Sequence, residues 1–234
     1  MALPITAFLP CRRGSERVKS KNTRPFGGSS LVKIKLAQLL AVSEISTIIV
    51  STDDPVVMDV AREFNNERIC IMERPKYFAS SQCSTDDLIH YVIQMVPFEC
   101  LLWTHATSPF FTSQSYMNAI KVYEEQLKNG YDSLATVDCC REFIWDAAGN
   151  SVNYDREAMG NWPRTQLVDP LYIINSAAFI ATLGVMERCG DRLGEKPFLL
   201  LSNRLEGFDI DWEEDFYTGE KLWISLSSDI KLYA

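Results

Sequence analysis

Residues Ile45 to Val50 form a run rich in β-branched side chains with no apolar–polar alternation, which suits a strand buried on both faces inside a parallel sheet. The run ends in Ser51-Thr52-Asp53-Asp54-Pro55, a turn that starts a helix with proline near its first position. Ile5 to Leu9 before it and Ile69 to Met72 after it read as further strands. Between them lie apolar residues at helical spacing: Leu31, Ile34, Leu36, Leu39 and Leu40 behind an N-cap at Ser29 or Ser30, then Met58, Ala61 and Phe64. Strand–helix alternation of this kind needs crossover connections, so it predicts an α/β fold of three layers, a mostly parallel sheet with helices on both faces.

The later chain continues the pattern. Ser84 and Asp87 make an approximate capping box ahead of Leu88, Val92, Ile93 and Val96. Cys100 to Trp103 reads as a strand, a helix from about Thr112 stops at Asn129-Gly130, and Ser133 to Val137 is another strand. From Cys139 to Asp169 the pattern loosens and turns aromatic, with Phe143-Ile144-Trp145 and Ser151 to Tyr154 able to pair as a hairpin across Gly149-Asn150. Such a stretch covers a site or a partner, or packs as core. Leu171 to Ile174 returns to strand character, Asn175-Ser176 breaks it, and Phe198 to Leu201 is a late strand before a closing helix through Phe216 and Leu222. No repeat or linker divides residues 1–234, so one domain with 139–169 as an arm is expected.

The net charge of -8 argues against a general nucleic-acid or anionic-membrane binder. No apolar run approaches the ~18 residues of a membrane helix, and Met1 to Thr6 lacks a signal peptide's features, so a cytoplasmic protein is expected. Seven cysteines without a C-x-x-C pair point to buried or inert thiols rather than disulfides or zinc.

Against that acidic background one loop stands out. Directly after the first strand, Arg12, Arg13, Arg17, Lys19 and Lys21 crowd around Gly14-Ser15 and Asn22. Arginine forks phosphate oxygens and lysine acts as a point charge, and ligands of parallel sheets sit outside the carboxyl ends of strands. The loop can therefore wrap a polyphosphate; a solvated basic loop is the plainer alternative. It is neither G-x-G-x-x-G nor a P-loop. Near the other end of the chain, Asp209-Ile210-Asp211 puts two carboxylates on one face if the segment is extended. Beside a triphosphate they describe a Mg²⁺ site, with simple acid enrichment at a helix N-terminus as the alternative.

The R-x-G-S-x-R-x-x-x-K-N loop with the late D-I-D resembles the acylneuraminate cytidylyltransferases, the CMP-sialic acid synthetases and their relatives, from Ile5 to about Leu226. Ser51 to Asp53, Arg74-Pro75, Ser84, Thr107-Ser108-Pro109 and Pro163-Arg164 add to the match. The resemblance implies a Rossmann-like nucleotide-diphospho-sugar transferase fold with an extended dimerisation arm. It also implies a Mg²⁺-dependent reaction of CTP with a nonulosonic acid, a sialic-acid-like sugar acid, that gives the CMP-sugar acid and pyrophosphate. Carried over by position, Arg12, Ser15, Lys21 and Asn22 hold nucleotide and phosphates, with Arg12, Lys21 and Asp211 catalytic. Arg74 and Ser84 approach the cytidine, His105, Thr107 and Ser108 face the sugar, and Asp209 and Asp211 hold metal.

The chain departs from the family pattern at four places. Glu16 stands where a lysine is common, His105 replaces a glutamine, and Phe110-Phe111 replaces an arginine. No arginine accompanies Tyr172 to Ser176 to meet the sugar's carboxylate, which leaves Arg164 as the expected partner and points to a sugar acid other than plain N-acetylneuraminate. The resemblance further implies a homodimer through the 139–169 arm. A nucleotidyltransferase for a sugar 1-phosphate, a D-x-D glycosyltransferase and an inactive nucleotide-binding relative are the competing readings.

Overall fold

The structure, a computed structural model, describes residues 4–227; the remainder of the expected 1–234 domain lies outside the described residues. The chain runs β1 (Ile5–Pro10), β2 (Pro25–Phe26), β3 (Ser29–Ser30), α1 (Leu31–Leu40), β4 (Ile45–Thr52), α2 (Pro55–Glu63) and β5 (Ile69–Glu73). It continues through α3 (Lys76–Ala79), α4 (Thr85–Met95), β6 (Cys100–Trp103), α5 (Ser113–Lys128) and β7 (Ser133–Cys140). The last part comprises α6 (Arg156–Met159), a 3₁₀ turn at Thr165–Leu167, β8 (Leu171–Thr182), α7 (Leu183–Cys189), β9 (Pro197–Leu201) and α8 (Glu213–Ser227).

Seven strands form one sheet in the order β5-β4-β1-β6-β8-β7-β9. The pairs β1/β4, β1/β6, β4/β5 and β7/β9 are parallel, while β8 runs antiparallel between β6 and β7. Local sequence chemistry explains the helix starts. The Ser30 hydroxyl accepts from the Lys33 N–H, Asp54 caps α2 with Pro55 behind it, and Ser84 and Asp87 form a full capping box at α4. Alternate strand residues face opposite layers. Ile5, Ala7 and Leu9 pack under α1, α5 and α8, whereas Phe8, Leu101 and Trp103 pack with Ile89 and Val92 of α4 and Met186 of α7.

Two expectations change. Asn175-Ser176 does not break the strand: β8 is continuous over 12 residues. Ser176 takes a left-handed φ of 61° where the β7–β8 register shifts, and a bulge of this kind kinks a strand without ending it. The aromatic hairpin shrinks to a single bridge between Trp145 and Ser151. The arm holds itself together by stacking instead. Trp145 stacks on Trp162, its indole N–H donates to the Tyr154 hydroxyl at 3.0 Å, and the Arg156 guanidinium lies over its ring. Trp162 nevertheless stays 70% exposed, and Tyr172, Ile173 and Ile174 are exposed near the start of β8.

Candidate active site

The carboxyl ends of β1 and β6 open into a cleft of about 510 Å³. Its lining includes Arg12, Ser15, Glu16, Arg17, Lys21 and Asn22 from the basic loop, Arg74 after β5, His105 to Thr107 after β6, and Asp209 and Asp211 before α8. Sequence positions near both ends of the chain thus form one wall-to-wall site.

The basic loop is braced from below. The Arg13 N–H donates to the Asp53 carboxylate at 2.8 Å, and the Thr52 hydroxyl donates to the Cys11 carbonyl. Arg74 is buried and donates from Nε to the Ser51 hydroxyl and from Nη2 to the Ser51 carbonyl at 2.8 Å. The Ser-Thr-Asp segment therefore positions both the loop and Arg74. Arg12 Nη1 donates to the Ser80 carbonyl at 3.2 Å, and the Asn22 amide reaches the Arg12 carbonyl at 3.4 Å.

The carboxylate pair is strapped between two loops. The Ile210 N–H donates to the Thr107 carbonyl at 2.9 Å, and Lys21 Nζ donates to the Ile210 carbonyl at 2.7 Å. The segment is not a strand, yet Asp209 and Asp211 both line the cleft. Asp211 accepts from Arg17 at 3.0 Å and lies 3.6 Å from Lys21. Asp215 takes the helix-capping task instead, accepting from the N–H groups of Asp211 and Trp212 at 3.1 and 2.8 Å. Acid enrichment at the helix start therefore accounts for Asp215 and not for Asp211.

Asp209 is raised above the usual carboxylate range, first by burial and then by Asp211, with Thr107 and Lys21 pulling the other way. Its Oδ1 is buried without a hydrogen-bond partner. A buried, unpartnered carboxylate oxygen two residues from a second carboxylate fits a hard divalent cation such as Mg²⁺. Lys21 is lowered by burial, opposed by Asp211 and Asp209.

Helix α1 supports the loop between β6 and α5 through Lys35. This fully buried lysine donates to the carbonyls of Ser108 and Phe111 at 2.9 and 3.1 Å and to the Tyr116 hydroxyl at 2.8 Å. Gln38 donates to the Pro109 carbonyl at 2.7 Å. The loop between β6 and α5 is thus held from beneath by two side chains of one helix.

A family model described as cytidylyltransferase matches residues 6–222. The chain belongs to this cytidylyltransferase family. It is 29% identical to the CMP-N,N'-diacetyllegionaminic acid synthase of Legionella pneumophila subsp. pneumophila, over 93% of this chain and 95% of that protein. It is also 24% identical to the N-acylneuraminate cytidylyltransferase of Escherichia coli O18:K1:H7, over 53% of this chain and 29% of that longer protein. Among solved structures, 4-diphosphocytidyl-2C-methyl-D-erythritol synthase of Anaerococcus prevotii superposes with a TM-score of 0.70 at 13% identity, over 94% of this chain and 96% of that one. CMP:2-keto-3-deoxy-manno-octonic acid synthetase, solved with CTP, gives a TM-score of 0.65 at 13% identity, over 97% and 100%. Both structures share the α/β nucleotidyltransferase fold.

In this cytidylyltransferase the cleft brings together Arg12, Ser15, Lys21, Asn22, Arg74, His105, Thr107, Asp209 and Asp211. Three expected residues fall outside its lining. Ser84 is exposed and serves as the α4 cap. Ser108 is buried beneath the loop, its hydroxyl without a partner. Arg164 is exposed in the arm. His105 lies half-buried; its Nδ1–H donates to the Ser176 carbonyl at 3.0 Å and its Nε2 accepts from the Trp103 indole at 3.2 Å. Burial lowers the imidazole to about 4, with Arg192, Lys21 and Lys35 adding to the drop, so the ring is neutral near pH 7.

Glu16 lines the cleft on its exposed rim and takes part in no ion pair among the described residues. Sequence reasoning missed Trp103, Ser176 and Arg192, all of which line the cleft. Ser176 could have been found from the polar Asn-Ser interruption of an apolar run. Nothing local marks Arg192.

Proposed function

We propose that this cytidylyltransferase activates a nonulosonic acid: CTP and the sugar acid give the CMP-sugar acid and pyrophosphate. The observation that carries the reading is the placement of the Arg12–Asn22 loop opposite Asp209 and Asp211 in one cleft, together with near full-length similarity to a CMP-diacetyllegionaminic acid synthase. The anomeric hydroxyl oxygen of the sugar forms a bond to the α-phosphorus, the α–β phosphoanhydride P–O bond breaks, and its electron pair leaves on pyrophosphate. The hydroxyl proton passes to solvent.

Arg12, Ser15, Lys21 and Asn22 supply cations and donors for the triphosphate, so their work is orientation and charge neutralisation. Buried Arg74 faces the nucleotide end. Asp209 and Asp211 would hold Mg²⁺, which neutralises charge on the phosphate oxygens when bound. Thr107 and His105 border the sugar end.

Exposed Trp162, Tyr172, Ile173 and Ile174 fit a homodimer formed through the 139–169 arm. Sedimentation at micromolar concentration should give a dimer, and Ile173→Glu a monomer; a monomeric wild-type chain would overturn that assembly. The substrate reading is tested by pyrophosphate release from CTP, Mg²⁺ and a panel of nonulosonic acids and sugar 1-phosphates. Release with a free sugar acid supports it; turnover confined to sugar 1-phosphates would replace it.

A further inference from the structure

We propose that Arg192 is the receptor for the carboxylate of the sugar acid, an inference that rests on the substrate reading above. Arg192 follows α7 and lines the cleft at the end marked by Trp103, His105 and Ser176. Its guanidinium carbon lies 3.8 Å from the centroid of the Phe179 ring and 5.4 Å from that of Trp103. These two rings belong to residues paired across β6 and β8, so they form a fixed aromatic platform on the sheet. Stacking on a ring holds the guanidinium plane while leaving its in-plane N–H donors free.

Every other cation of the cleft wall has a partner within the protein, although Arg12 and Lys21 keep donors for the triphosphate. Arg17 and Lys21 face Asp211, Arg74 is bonded to Ser51, and Arg12 to the Ser80 carbonyl. The Arg192 guanidinium has no hydrogen bond and no ion pair among the described residues. Asp191 and Asp86 act on it only from beyond ion-pair distance, and burial lowers it from its ordinary value. A desolvated, stacked and unpaired guanidinium facing a cleft is prepared for a bidentate carboxylate.

The neighbouring His105 does not compete for this task. Its Nε2 lone pair is taken by the Trp103 indole and its Nδ1–H by Ser176. Arg164, the residue expected for this role from the sequence, sits exposed in the arm and not on the cleft wall.

The test compares wild type, Arg192→Gln and Arg192→Lys of the full chain. Pyrophosphate release is titrated with N,N'-diacetyllegionaminic acid and with an N-acylneuraminate as probes, and CTP binding is measured by calorimetry. Loss of a charged hydrogen-bonded pair should raise KM for the acid about 10- to 100-fold in Arg192→Gln, with a smaller rise in Arg192→Lys. CTP affinity should stay unchanged, which also reports that the variants fold. A C1 carboxamide of the acid should lose as much on wild type and lose nothing further on Arg192→Gln. An unchanged KM for the acid, or a parallel loss of CTP affinity marking a phosphate ligand, would overturn the assignment alone. A wild-type chain that binds CTP yet turns over no sugar acid would overturn the substrate reading, and this inference with it.

Discussion

Lys21 and Asp211 meet across the cleft although nearly the whole described chain separates them: Lys21 Nζ donates to the Ile210 carbonyl at 2.7 Å and lies 3.6 Å from the Asp211 carboxylate. One lysine therefore fixes the backbone of the carboxylate segment and balances its charge.

Asp211→Asn keeps the shape of the segment but removes the charge that faces Arg17 and Lys21. Pyrophosphate release should fall by at least about 100-fold, in line with losing one charge-stabilising group of a phosphoryl-transfer site. Raising Mg²⁺ should recover part of the rate. Unchanged turnover at low Mg²⁺ would remove Asp211 from the metal site.

Glu16 places an anion on the rim of the cleft proposed to hold the triphosphate. Two unit charges in water interact by about 1 kcal/mol at 4 Å, so Glu16→Lys should lower KM for CTP by roughly fivefold. The gain should shrink as salt is raised, because the position is exposed and screened. A KM that rises instead would mean that Glu16 supports the loop.

Lys35→Met leaves the buried Phe111 carbonyl without its donor, while the Ser108 carbonyl keeps the Phe111 N–H. An unsatisfied buried acceptor costs about 1–3 kcal/mol, so the urea midpoint should fall by an amount corresponding to about 1–3 kcal/mol. Lys35→Arg should not restore it, since a guanidinium is larger than the closed site. A midpoint within error of wild type would show that the loop is held by other contacts.

His105 gives a pH dependence with a defined sign. Its imidazole is lowered to about 4 in the fold from an ordinary 6.5, so the unfolded chain binds the proton more readily between those values. Its contribution is complete above about pH 6.5 and is lost as pH falls toward 4. Thermal melts of His105→Gln should therefore lose less stability than wild type between pH 7 and pH 4.5. Identical slopes for the two proteins would exclude His105 as a source.

Residues whose role is set by their neighbours in sequence were legible. The caps at Ser30, Asp54 and Ser84 and the buried run at β4 follow from local chemistry, and the loop at Arg12–Asn22 announces itself by charge. The unreadable parts depend on contacts between distant segments. Ser176 looked like a break because a left-handed φ inside a strand has no signature in a serine. The role of Lys35 has no local signature, since its acceptors come from a loop that begins far downstream. Arg192 follows a helix end like any surface arginine, and only the Trp103–Phe179 pairing gives it a platform.

The strap that joins Thr107, Ile210 and Lys21 also sets when the cleft comes into being. A chain emerging from the ribosome can assemble β1, the basic loop and α1 early, because their contacts are short in sequence. The carboxylates arrive almost last, and Lys21 has no partner there until they do. The cleft is therefore complete only once residues 209–211 have docked, and a chain cut before Asp209 would carry the basic loop without the wall that faces it.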